Sequence, residues 1–195
     1  METYSQLKSD IKDWTSSPDM TDAQLDNFIT VSLSKINRAL RIGGMEAESD
    51  LTLDAQTVSL PSDFRGARGV YIAASGCDYE LRYVTPEVLN SNRYPSTGRP
   101  ELFTIRNATM VLDKTPDQTY TAKLHYFQKF AVLSDANTTN WLTDEAPDVL
   151  LWGACWACSL FNRDDEQAQR FYGLFEQALS ELEQSEEDKF GADGS

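Results

Sequence analysis

One histidine and three cysteines in 195 residues leave little room for several kinds of chemistry. With His125 alone, a Ser/His/Asp or Cys/His arrangement has little scope, because each needs a base within hydrogen-bond reach of a nucleophile. His125 itself falls in the alternating run Leu124–Phe127, where it reads as a sheet residue rather than a general base. Cys77, Cys155 and Cys158 are too few and too unevenly placed for a secreted disulfide framework, so a reducing compartment is expected. Cys155 and Cys158 form a CxxC, but it begins eight residues after Pro147 inside an apolar helix, where burial raises a thiol pKa. Cys77 and His125 complete the atoms of a Cys3His zinc site without supplying a second close ligand pair, so buried packing is the expected role. Neither a metal nor any other cofactor is called for.

Other absences point the same way. The longest apolar stretch, Val149–Phe161, is shorter than the roughly 20 residues of a membrane-spanning helix. The acidic start MetGluThrTyrSer lacks the basic and apolar regions of a signal peptide, so a soluble protein is expected. There is no phosphate loop of P-loop or dinucleotide type, and no internal repeat. Carboxylates abound, 31 of them, and that abundance makes any chosen acid pair uninformative.

What the chain does have is acid in an uneven distribution. The formal charge is −14; residues 1–50 carry 9 acids and 5 bases, residues 51–163 carry 12 and 10, and residues 164–195 carry 10 and 2. Nucleic-acid affinity comes from Lys and Arg neutralising phosphates, so this surface repels a nucleic acid.

Apolar residues Tyr4, Leu7, Ile11 and Trp14 recur at helical spacing, and Ser16 to Pro18 end that helix. Thr21 and Gln24 stand in capping-box spacing ahead of Leu25, Phe28, Ile29, Leu33, Ile36 and Leu40. From Leu51 the period changes to two, with strands expected at 51–53, 57–60, 70–73, 79–84, 102–105, 109–112 and 120–127. Asn107 marks a hairpin, Pro86 starts a short helix, and 93–100 reads as a long exposed loop. ArgGlyAlaArgGly, 65–69, reads as a turn between strands. Pro147 opens a helix apolar on nearly every face, expected to be the buried centre of a bundle with Trp152 and Trp156 largely hidden. Asp164 and Asp165 begin a last amphipathic helix, and 186–195 is expected to fray.

The expected fold is therefore α+β: a four-helix bundle built from both chain ends, 1–50 and 134–195, carrying a β-rich insertion, 51–133. Arg65, Arg68, Arg93 and Arg99 are candidate subunit contacts for acidic helix surfaces. Lys189 and Phe190 are candidate docking residues in the tail.

The order of short motifs resembles the head-to-tail adaptor, or connector, proteins of tailed bacteriophages, in particular the podovirus-like type. The resemblance is carried by the helix from LeuAspAsnPheIle to ArgAlaLeuArgIle, then GlyMetGlu, ValSerLeuProSerAspPhe (58–64), ThrProGluValLeu (85–89) and GlyArgProGluLeuPhe (98–103). It continues through LysThrProAsp (114–117), LeuHisTyrPhe (124–127), AsnTrpLeuThr (140–143), ProAspValLeuLeuTrpGlyAla (147–154) and PheGluGlnAlaLeuSerGluLeu (175–182). It implies a structural, non-enzymatic virion protein at the head-tail interface, assembled in the host cytoplasm. Its implied partners are the portal protein, a tail nozzle or tube protein, further copies of itself in a ring of about twelve closed by rotation, and a tail fibre in some arrangements. DNA would pass through the channel during ejection without specific binding. Twelve copies would carry on the order of 170 negative charges, a wall from which DNA slides free. Two competing readings are a carboxylate-dependent hydrolase and a cytoplasmic adaptor unrelated to phage.

Overall fold

A computed structural model describes residues 3–74, 77–92 and 96–191, with the backbone alone at Ala74, Asn92 and Phe190. The chain divides into two compact units, residues 1–44 with 130–195, and residues 45–129.

The first unit is helical. Helices α1 (Tyr4–Trp14) and α2 (Asp22–Ala39) both begin with a reciprocal capping box, Thr3 with Gln6 and Thr21 with Gln24, which satisfies two amide donors at each helix start. A short helix α4 (Trp141–Glu145), capped by Asn140, leads into α5 (Pro147–Phe161), which has Pro at its first turn. Helix α6 (Asp165–Gly191) completes the unit. Leu7, Ile11, Leu25, Ile29, Ile36, Leu150, Cys155 and Phe175 fill its core.

The second unit is built of strands. β1 (Glu46–Leu53), β8 (Tyr120–Gln128), β3 (Phe64–Ala74) and β4 (Cys77–Glu80) form one antiparallel sheet in the order β1-β8-β3-β4. β2 (Thr57–Ser59), β7 (Thr109–Leu112), β6 (Leu102–Arg106) and β5 (Arg82–Tyr83) form the other, in the order β2-β7-β6-β5, with helix α3 (Pro86–Asn92) beside β6. One hydrophobic cluster takes Leu51, Val70, Ile72, Leu124 and Tyr126 from the first sheet and Val58, Phe103, Met110 and Leu112 from the second. The β6–β7 turn has Asn107 and Ala108 at φ 48° and 59°, the left-handed pair of a two-residue hairpin turn.

The expected four-helix bundle with a β-rich insertion is corrected by these findings. Among the described residues the strand unit has eight strands and a hydrophobic core of its own. The helices do not close a four-membered ring: α5 is a hub along which α2 and α6 pack, α1 rests chiefly on α5, and the most extensive helix contact is the C-terminal α5–α6. Three finer expectations change as well. Trp152 and Trp156 are only half-buried. The 65–69 segment is strand rather than turn, lying inside β3 where the β3–β8 register shifts between Phe64 and Gly66 and again between Ala67 and Gly69. Helix α6 continues through 186–191, because Glu186 is buried and accepts a hydrogen bond from Lys189 at 2.5 Å.

Candidate interaction surfaces

Strand β3 crosses its sheet with two bulges, and Gly66 and Gly69 leave gaps in its row of side chains. A Cβ at Gly66 would meet nothing within 4 Å, while at Gly69 it would press on the Tyr71 ring at 2.8 Å. Beside this stretch a cleft of about 370 Å³ opens among Ala67, Gly69, Leu81, Tyr83, Phe103 and Ile105, with Arg68 and Glu80 on its wall. Its aromatic side is set by Tyr83, which meets the Phe103 ring edge-on at 5.7 Å. Arg68 also borders a smaller cleft of about 250 Å³ with Glu46, Glu48 and His125. There Arg68 pairs with Glu46 and lies over the Phe127 ring, 5.4 Å from its centroid. His125 Nδ1 is 3.1 Å from Glu48, and its ring meets Tyr71 edge-on.

The chain passes from β4 to β5 through the single buried residue Leu81, so 77–83 runs along an edge of both sheets. Leu81 N–H donates to Val70 of one sheet, and Arg82 N–H donates to Glu101, beside β6 of the other. Along this edge Arg99 stacks on Tyr79, its guanidinium carbon 4.0 Å from the ring centroid. Nearby, Lys114 donates to Glu101 at 2.7 Å. That hydrogen bond holds the Glu101 carboxyl below the usual carboxylate range and raises Lys114. Asp113 is buried and accepts from the amides of Glu101 and Leu102, fixing the approach to β6.

On the helical unit, the side chains that α5 does not bury form an aromatic face. Trp152 meets Trp14 of α1 edge-on at 4.9 Å and stacks with Phe171 of α6 at 6.0 Å. Trp156 faces Tyr172, and Lys35 of α2 reaches over both rings, 4.5 and 4.3 Å from their centroids. At the end of α5, Leu160 and Phe161 are 48% and 56% exposed, with Phe161 tilted against Phe28.

Of the four arginines named as subunit contacts, Arg65 and Arg68 lie on β3, Arg99 stacks on Tyr79, and Arg93 falls outside the described residues. Of the two tail residues, Lys189 is paired with Glu186, and the Phe190 side chain lies outside the described residues. Cys155 and Cys158 are buried in α5 and Cys77 is exposed on β4. Among the described residues no group of three or more His, Cys, Asp or Glu side chains can hold a metal, and no helix is long and apolar enough to cross a membrane. The sequence reading missed the cleft beside β3 and the exposed corner Leu160–Phe161. Gly66 and Gly69, spaced by bulges, were the available signal for the cleft; a Leu-Phe pair directly before AsnArgAspAsp was the signal for the corner.

Tyr, Trp, Phe and Arg, residue types enriched where proteins bind one another, are among the side chains of these surfaces. A family model described as SU10 adaptor protein matches residues 2–194. No curated protein matches the chain.

Proposed function

The chain belongs to the SU10 adaptor protein family, whose members are structural phage adaptors, and on that premise we propose that it is the subunit of a ring seated beneath the portal, joining capsid to tail and continuing the DNA channel. The observation that carries this reading is the match over residues 2–194, nearly the whole chain. The charge distribution gives the reading a physical use. The helical unit holds 20 acids and 8 bases, a net −12, and the strand unit 11 acids and 9 bases, a net −2. A ring that turns its acidic parts toward the channel repels the phosphate backbone and leaves DNA free to slide.

In this reading the portal lies on one side of the ring and a tail nozzle or tube protein on the other, and assembly takes place in the host cytoplasm. Arg65, Arg68, Arg93 and Arg99 contribute contacts to a neighbouring subunit or partner, and the end of α6, with Lys189 and Phe190, contributes to portal docking. The test is electron microscopy of the protein mixed with isolated portal. A ring of added density on one end of the portal is the expected result; portal particles unchanged at saturating protein would overturn it.

A further inference from the structure

We infer that the strand unit takes up an extended peptide segment of another protein, laid along the unpaired edge of β3 with apolar side chains in the cleft and a Lys or Arg beside Glu80. The slot belongs to the strand unit alone and holds whatever the copy number of the protein.

The slot exists because one continuous run of chain serves two sheets. On one side of β3, β8 pairs from Phe64 to Ile72. On the other side β4 pairs only with Tyr71–Ala74, and next along that edge the Leu81 amide donates to the Val70 carbonyl at 2.8 Å. Arg82 N–H and Val84 N–H then donate to Glu101 and Phe103, so the chain leaves β3 and follows β6. Among the described residues no strand pairs with Phe64–Gly69 on that side. An unpaired strand edge accepts an added strand through main-chain hydrogen bonds. Ala67 and two glycines keep this edge clear: a Cβ at Gly66 would meet nothing within 4 Å, and glycine inside a strand marks a place where a second backbone comes close. The two bulges bend β3, so the slot suits a short segment rather than a long flat strand.

The cleft fixes what the segment carries. Leu81, Phe103 and Ile105 give its volume of about 370 Å³ an apolar lining, beside Tyr83, which is 58% exposed. Successive strand side chains point to opposite faces, and here Leu81 is buried while its neighbour Glu80 is exposed. A segment laid in the same line repeats that alternation, with an apolar residue inward and a polar one outward. Charge selects the polar one. Arg68 is already paired with Glu46, whereas among the described residues Glu80 has no ion pair, so the cleft keeps one uncompensated negative charge. The occupant is an extended segment in which Lys or Arg alternates with large apolar residues; an acidic segment is repelled.

The experiment follows the backbone amides of the isotope-labelled full chain by NMR during titration with a synthetic peptide, acetyl-Thr-Phe-Lys-Val-Thr-amide, in which Phe and Val share one face. Saturable shifts at Gly66, Ala67, Gly69 and Tyr83 are expected, and a peptide with Glu in place of Lys should bind about tenfold more weakly. N-methylation of one alternate set of peptide amides should abolish binding while the other set tolerates it, because only one edge of the segment faces β3. Two variants at exposed positions, with circular dichroism as a check of fold, locate the site. Glu80→Lys is expected to reverse the preference between the two peptides, and Ala67→Trp, which fills the cleft, to abolish binding. No binding of the Lys peptide at millimolar concentration, binding that survives methylation of either set, or an unchanged preference in Glu80→Lys would overturn the inference. Shifts of the same amides on raising the concentration of the protein alone would make a second copy the occupant and overturn it as well. Each of these outcomes leaves the ring reading standing, since that reading is decided by density on the portal.

Discussion

Gly153 of α5 faces Ser32 of α2 so closely that a Cβ on residue 153 would lie 2.2 Å from the serine Oγ. Ser32 is buried and donates to the Leu150 carbonyl at 3.2 Å, so the hydroxyl is held at the point where the two helices approach. The same Cβ would also meet Phe175 at 2.9 Å, so the neighbours on both sides would have to move. Gly153→Ala is therefore expected to destabilise the protein by about 1 to 3 kcal/mol through overpacking, despite the better helix propensity of alanine. Ser32→Ala in the same chain should recover part of the loss, because it removes one of the two clashes. Urea melts of the single and double variants check this; an additive double variant would place the strain elsewhere.

The tryptophans of α5 should matter less than their size suggests. Trp156 is half-buried and its exposed face is covered by Lys35, so Trp156→Ala is expected to cost about 1 to 3 kcal/mol. Phe175 is fully buried against the same helix, and Phe175→Ala should cost about 3 to 5 kcal/mol. Chemical denaturation of the pair gives the order, and equal losses would show that the tryptophan is buried in solution.

Two groups at the α1–α2 contact set opposite pH limits. Burial alone would raise the Asp26 pKa, but hydrogen bonds from Lys8 and Tyr4 outweigh it and hold the carboxyl below its usual range. This stabilisation is complete above the unfolded pKa, about 4, and is lost as pH falls through the lower folded value. Burial first, and then the hydrogen bond to Asp26, raises the Tyr4 phenol above its ordinary value. Its share is complete below about pH 10 and declines as pH rises from there, because the unfolded chain ionises while the folded phenol does not. Thermal melts should show Asp26→Asn flattening the acid limb and Tyr4→Phe flattening the alkaline limb. Unchanged limbs in both variants would disprove the assignment.

The thiols should separate by burial. Cys77 is exposed, whereas Cys155 and Cys158 are buried, with Cys158 Sγ 3.4 Å from the Thr15 hydroxyl. A chromogenic disulfide reagent is expected to titrate one fast thiol in the native protein and three in denaturant. A chelator should leave the melt unchanged, and stoichiometric zinc by elemental analysis would contradict that expectation.

How far the sequence discloses this fold depends on how local each signal is. The capping box at Thr21 and the Pro at the head of α5 act within one turn, so their helices can be read directly. The hairpin at Asn107 is equally local. The 65–69 segment defeats the reading because two bulges reset its alternation and its glycines have no side chain to show a face. The start of β1, GluAlaGluSerAsp, is hidden for another reason: it is an edge strand with exposed or half-exposed residues throughout, held by pairing with β8. Helix α5 is so uniformly apolar that no stripe selects its buried side, which is why Trp152 and Trp156 were placed inside. Of the interaction surfaces, the arginines were legible as residue types. The cleft was not, because it is formed by β3, β5 and β6, which are distant in sequence.

Leu81 gives the strand unit a kinetic property as well as a shape. Its buried side chain and the amide bonds on either side of it splice the outermost strand of one sheet to that of the other. Neither edge can fray past this residue without drawing on the second, so the Leu81, Arg82 and Val84 amides should open to solvent as one event and exchange hydrogen at a common rate.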